Sequence, residues 1–206
     1  MNKLVLFDWG NIVESHQTGY TCYDAWNELF NLCGYNESNI FEKIKKYKLS
    51  SIKDIDTFSK TYDLIKKEFN LNKTFEEFVS LYKKTFDKID YYKDVKDYEL
   101  SLKDKCYIGI LSNLNILEKE RLDRQVGLSN YDYVFLSFEF GKEKPDIEFY
   151  EEVQSRIPFE PSDILFIDDR KDNIDIASKM GWNTLLATGL ELDKIKSNVT
   201  NFLKNT

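Results

Sequence analysis

The chain reads as an α/β protein: a parallel sheet wrapped by helices, with a helical bundle inserted between its first two core strands. Three observations predict this. Leu4–Phe7, Tyr107–Leu111 and Ile164–Ile167 are short, largely apolar runs without polar alternation, as expected of strands buried on both faces. Helix-patterned stretches separate the later strands, giving the βαβα alternation of a doubly wound sheet. The stretch from Gly19 to Ile89 instead carries apolar residues at helical spacing, with no strand-like run to interrupt it.

Taken in order, the first strand ends in Asp8 and opens the tight segment Asp8-Trp9-Gly10-Asn11. The inserted region follows, with Phe58, Tyr62, Ile65 and Phe69 forming one stripe and Phe75, Phe78, Leu81 and Tyr82 another. Such stripes are read most simply as the core of a bundle. The Asp- and Tyr-rich stretch Asp87–Asp97 is the expected return hinge. Two weaker strands, Tyr133–Leu136 and Thr184–Ala187, complete a five-stranded set, interleaved with helices over Ile116–Val126, Ile147–Arg156 and Asn173–Met180. Pro145 suits the first turn of the second of these helices, and Gly181 stands just past the third. The expected organisation is a core built from residues 1–15 and 90–206, with residues 16–89 as the helical insertion.

The 206 residues suffice for one domain with a sizeable insertion, and 42% hydrophobic content supplies its core. Acidic residues outnumber basic ones by 36 to 29, for a net charge of −7. That balance argues against a nucleic-acid-binding surface, and it means that an anionic substrate needs a local cation. The Lys-rich helices are interleaved with Asp and Glu, as solvated faces are. Cys22, Cys33 and Cys106 have no metal-type spacing and fit reduced thiols. The N-terminus reads as a strand without a cleavable leader, and no apolar stretch is long enough to cross a membrane. A cytoplasmic protein with no membrane partner is expected.

Chemistry collects at the strand ends. Asp8 follows the first strand, Ser112 and Asn113 the second, and Asp168 and Asp169 the Ile164–Ile167 strand. Gly141-Lys142-Glu143-Lys144-Pro145 follows the weaker strand at Tyr133–Leu136. In open α/β sheets the functional crevice lies beyond the carboxyl ends of the strands. Converging there, these residues suit phosphoryl transfer. Asp8 would attack phosphorus, and Asp8, Asp169 and Asp168 would hold a magnesium ion. Ser112 and Asn113 would donate to phosphate oxygens, and Lys144 would neutralise developing charge. Each motif alone has a plainer reading: Ser112-Asn113 as a helix cap, Lys144-Pro145 as a helix start, Asp168-Asp169 as a polar turn. The ordered set of four, with an insertion behind the first, argues for the site.

The same motifs resemble the haloacid dehalogenase (HAD) superfamily over essentially the full chain. They stand in order as Phe7-Asp8-Trp9-Gly10-Asn11, Leu111-Ser112-Asn113, Gly141 through Lys144-Pro145-Asp146, and Phe166-Ile167-Asp168-Asp169. Asp172-Asn173-Ile174, Ala177 and Gly181 continue the pattern. The resemblance implies a Rossmann-like core with a helical cap of the first (C1) class, magnesium as cofactor and a small phosphorylated metabolite as substrate. It implies Asp8 as nucleophile and Lys144 as catalytic lysine. Ser112, Asn113 and Lys144 would then bind phosphate, and Asp8, the Gly10 carbonyl, Asp169 and Asp168, directly or through water, would bind metal. Within the superfamily the Asp-x-Gly-Asn segment is most similar to the branch that includes glucose-1-phosphate phosphatases, so a sugar phosphate is the expected substrate.

One position departs from the pattern. Most HAD phosphatases carry a second Asp, the general acid, two residues after the nucleophile, and here that residue is Gly10. Positioned proton transfer contributes about 10²–10⁴-fold in rate. Glu14 and His16, just beyond Asn11, are the nearby candidates for a substitute. The missing acid keeps two alternatives open: a 2-haloacid dehalogenase, whose halide leaves unprotonated, and a catalytically weak phospholigand binder.

Overall fold

A computed structural model of the chain describes residues 2–14 and 19–204. Its strands are β1 (Leu4–Phe7), β2 (Tyr107–Ser112), β3 (Tyr133–Leu136), β4 (Ile164–Asp168) and β5 (Asn183–Leu186). They form one sheet in the order β3-β2-β1-β4-β5, and every pairing is parallel. Chain direction across the sheet therefore reverses at β1, which places its carboxyl end at the switch point of a doubly wound fold.

Alternation along each strand explains the unbroken apolar runs. Val5 and Phe7 of β1, with Leu165 and Ile167 of β4, face one core. Leu4, Leu6, Ile164 and Phe166 face the other. Helices α5 (Lys93–Leu100), α6 (Lys119–Val126) and α10 (Leu192–Lys204) cover the first face through Val95, Leu122, Ile195 and Val199. Helices α8 (Ile147–Ser155) and α9 (Lys171–Lys179) cover the second through Phe149, Val153 and Ala177. With both faces covered, a polar residue inside a strand would be desolvated without a partner.

Among the described residues between β1 and α5 run the α-helices α1 (Cys22–Leu32), α2 (Ile40–Ile44), α3 (Ile55–Phe69) and α4 (Phe75–Phe86). Thr21 and Thr74 start α1 and α4 with capping boxes to Asp24 and Glu77, and Asp54 caps α3. Their apolar stripes meet in a second core, which Ile116 and Leu117 from the segment after β2 also join. There Tyr82 stacks on Phe86 at 4.0 Å, and Trp26 packs edge-on against both rings. The aromatic spacing read from the sequence is thus bundle packing.

Contacts on both flanks tie this bundle to the sheet. Glu14 pairs with Tyr91 in an antiparallel bridge, so the outgoing and returning chains run side by side. On the opposite flank, Ser50 and Ser51 donate hydrogen bonds to Glu143, and the Ser137 hydroxyl, on the short helix α7 (Ser137–Phe140), donates to the Ser50 carbonyl at 2.6 Å.

The structure corrects several local expectations. Pro145 lies ahead of α8 rather than in its first turn, in a turn with a cis Lys144–Pro145 bond, and Asp146 takes the N-cap position. The hinge stretch Asp87–Asp97 runs into α5, and α10 is a further helix. Cys22, Cys33 and Cys106 are free thiols. Among the described residues, no helix is long and apolar enough to cross a membrane.

A buried carboxyl in this fold carries a stability signature. Glu99 of α5 is fully buried and accepts a 2.6 Å hydrogen bond from the Tyr131 hydroxyl. Burial pushes its pKa up to about 8 against the hydrogen bond that lowers it. Because the folded value exceeds the unfolded one, the protonated form favours folding, and stability is lost as pH rises through the folded pKa. Glu99→Gln should therefore match the parent near pH 5 and exceed its stability at pH 9 by on the order of 3 kcal/mol. Melting temperatures of both proteins across that range check this; a difference independent of pH would refute it.

Candidate active site

Asp8 sits one residue past β1, and its amide donates to the Ile167 carbonyl at 2.9 Å, so it lies beside Asp168 at the same sheet edge. Its Oδ1 accepts three hydrogen bonds, from the Trp9 amide (2.7 Å), the Ser112 hydroxyl (2.8 Å) and Lys144 Nζ (2.9 Å). Among the described residues no donor reaches Oδ2. One oxygen is anchored and the other is left for chemistry. Burial pushes the Asp8 carboxyl up to about 7, opposed by Lys144 and reinforced by the nearby Asp168 and Asp169 carboxylates.

Lys144 is buried, and its ammonium also meets Asp168 Oδ2 at 2.6 Å and the Leu111 carbonyl at 2.9 Å. Burial alone would lower its pKa; Asp168 and Asp8 outweigh that and hold it raised, so it stays charged. Asn113, expected to bind phosphate, also braces the neighbouring loop. Its side chain clasps the main chain of Lys144: Nδ2 donates to the carbonyl at 2.7 Å and Oδ1 accepts from the amide at 2.8 Å. Asn113 thus fixes the loop that carries the lysine.

Asp168 is fully buried, and both its oxygens are engaged, by Lys144, by the Asn173 side chain at 2.9 and 3.0 Å, and by the Arg170 amide. Asp169 is half-buried and accepts from Asn11 Nδ2 at 3.0 Å, with burial raising its pKa. Asn11 occupies the left-handed region at φ 55°, which Asn tolerates. The Gly189 amide holds its carbonyl at 2.8 Å, and a Cβ at Gly189 would lie 2.3 Å from the Ile12 carbonyl, so only glycine fits there. Asn11 and Asn173 belong to the motifs read from the sequence, but their orienting parts emerge only in three dimensions.

Oxygens of Asp8, Asp168 and Asp169 lie within 4.8 Å of one another. Three carboxylates there face the single Lys144 ammonium. That all-oxygen, electron-rich donor set fits a hard divalent cation, which the excess negative charge favours.

Behind this centre Trp9 Nε1 donates to Glu14 (3.3 Å), and Arg121 Nη2 donates to Glu14 (2.8 Å) and Glu118 (3.3 Å). Glu14, a candidate proton donor from the sequence, is therefore held in a buried ion pair; His16 lies outside the described residues. Arg121 stands in the sequence among charged residues, between Glu120 and Leu122, and nothing there marks it as buried. An open pocket of about 400 Å³ joins the Asp8 centre to the inserted helices.

Residues 5–187 match the family described as haloacid dehalogenase-like hydrolase. The chain belongs to that family. Over 197 residues, 89% of this chain and 91% of the relative, the HAD-like hydrolase is 28% identical to a D-ribitol-5-phosphate phosphatase from Bacteroides thetaiotaomicron. A 65-residue stretch, 31% of this chain and 26% of the relative, is 42% identical to flavin mononucleotide hydrolase 1 of Arabidopsis thaliana. Among solved structures, a HAD family enzyme from Bacteroides thetaiotaomicron in complex with magnesium and inorganic phosphate superposes with a TM-score of 0.73. It is 19% identical, and the match covers 92% of this chain and 95% of that one. A HAD-like hydrolase from Porphyromonas gingivalis gives 0.74 at 19% identity over the whole of both chains. These structural likenesses establish the fold. Within the fold of this HAD-like hydrolase, Gly10 is a choice of sequence rather than of packing. A Cβ there would meet only Asp8 Oδ2, at an ordinary 3.8 Å.

Proposed function

We propose that this HAD-like hydrolase is a magnesium-dependent phosphatase of a small phosphorylated metabolite, working through an aspartyl-phosphate on Asp8. One observation carries the reading: Asp8 holds Oδ1 against three donors and, among the described residues, leaves Oδ2 without one, at the centre of a three-carboxylate, one-lysine cluster. In this reading Oδ2 bonds to phosphorus as the ester oxygen departs, and water then hydrolyses the acyl phosphate. Because Gly10 offers no proton, the departing oxygen takes its proton from water. Lys144 and the Ser112 hydroxyl hold the nucleophile and balance the charge gathered by the phosphoryl oxygens.

Asp8, Asp169 and the Gly10 carbonyl would hold magnesium, with Asp168, already bonded to Lys144 and Asn173, joining directly or through water. The bound ion supplies charge neutralisation between carboxylate and phosphate. Residues 16–89 serve as a cap, an assignment supported by the second core and their place over the pocket. The D-ribitol-5-phosphate phosphatase similarity and the Asp-x-Gly-Asn segment support a sugar or polyol phosphate among the candidates. The free thiols suit a reducing cytoplasm.

A magnesium-dependent phosphate-release screen over sugar, nucleotide and acyl phosphates tests the assignment. Chelation with EDTA should lower turnover by about 10²-fold or more. Turnover of a 2-haloacid that survives EDTA unchanged would instead establish dehalogenation, the reaction that the missing acid would suit. Phosphate binding without release would establish a phospholigand binder.

A further inference from the structure

We propose that the pocket selects phosphate esters of uncharged, apolar-bodied alcohols, a ring or branched carbon chain rather than a polyol. This rests on the phosphatase reading and narrows its substrate class. The inserted helices turn a run of apolar side chains to the pocket, Tyr23 and Trp26 of α1, Phe41 and Ile44 of α2, then Leu49 and Phe86, with Lys45, Lys48 and Ser50 beside them. Tyr23 remains 49% exposed and packs edge-on with Phe41 at 5.1 Å, so this pair stands open to an incoming group.

Polar side chains also line the pocket, but they are occupied with one another. Glu14 bonds Arg121 and Trp9, and Asn115 Nδ2 bonds the Tyr82 hydroxyl (2.7 Å) and Glu118 (2.9 Å). Ser50 donates to Glu143. A polyol would bring several hydroxyls to a wall with few partners to give them. Each hydroxyl desolvated without a partner weakens binding by about tenfold. An apolar body loses nothing there and gains contact with the rings.

Charge adds a second filter. Glu14 and Glu118 share one guanidinium, Arg121, beside the pocket, and burial pushes the Glu118 carboxyl up to about 7. The cations that line it, Lys45, Lys48 and Arg170, pair with Glu42, Asp146 and Asp172. A second anionic group on the substrate would have to displace these carboxylates to reach a cation.

Benzyl phosphate and D-ribitol 5-phosphate provide the test, because both are esters of primary alcohols and differ mainly in the body that meets the wall. With magnesium present, kcat/KM for benzyl phosphate should exceed that for D-ribitol 5-phosphate by about tenfold or more. Phe41→Ser and, separately, the more exposed Tyr23→Ser should each bring that ratio toward one. Equal rates, a reversed order, or a ratio untouched by both substitutions overturns the proposal. Calorimetric binding of the two esters to Asp8→Asn protein gives the same ranking without turnover. If neither ester is hydrolysed, the broader phosphate-release screen decides the phosphatase reading, while the binding order still decides what the pocket prefers.

Discussion

Asp8→Asn protein is expected to fold normally and to release phosphate roughly 10⁴-fold or more slowly than the parent, the scale seen when a covalent nucleophile is removed. Asparagine matches aspartate in size, and its carbonyl oxygen can take the place of Oδ1, accepting from Trp9, Ser112 and Lys144. What disappears is the anionic Oδ2, the atom assigned the attack. Phosphate release and melting temperature, measured together, separate loss of chemistry from loss of structure. Full turnover in the substituted protein would end the assignment of Asp8.

Lys144→Met should harm both stability and rate. The ammonium is buried against Asp8 and Asp168, and methionine would leave these carboxylates facing each other without a counter-charge. Breaking a buried pair in this way costs about 3–5 kcal/mol, and losing a charge aimed at the reacting group lowers kcat by about 10²–10³-fold. Adding Asp168→Asn to the Lys144→Met protein should recover much of the stability, because one uncompensated charge is removed, and none of the rate. Thermal melts and phosphate release on the single and double variants check this. Recovery of rate in the double variant would count against the proposed part of Lys144.

The sequence discloses this fold where burial leaves it little choice. β1 begins and ends at the residues expected, because a strand covered on both faces must be apolar throughout, and the edge strand β3 does so as well, with Phe135 and Leu136 buried. β5 is displaced by one residue, since this edge strand buries only Leu185 and so marks its ends weakly. The stripe of Ile195, Val199 and Phe202 in α10 is legible at helical spacing. Helix α5 is less so, since it buries only Val95 and the acidic Glu99.

At the site, residue types were legible and their partners were not. Asp8, Ser112, Lys144, Asp168 and Asp169 could be placed at one sheet edge from the strands that precede them. Nothing in the residues near Asn113 announces that its amide clasps the main chain of Lys144, 31 positions away. The Glu14–Arg121 pair joins residues 107 positions apart and is equally silent in sequence. Such contacts depend on how loops are set over a sheet, which local pattern does not encode.

The hydroxyls of Ser50 and Ser51 grip the carboxylate immediately before Lys144, while Glu14 and Tyr91 fasten the outgoing and returning strands on the other flank. The helical unit is thus moored on both flanks, and one mooring post adjoins the lysine itself. Were that unit to shift on its mount, the Glu143 tether would have to part beside the residue that carries the buried ammonium.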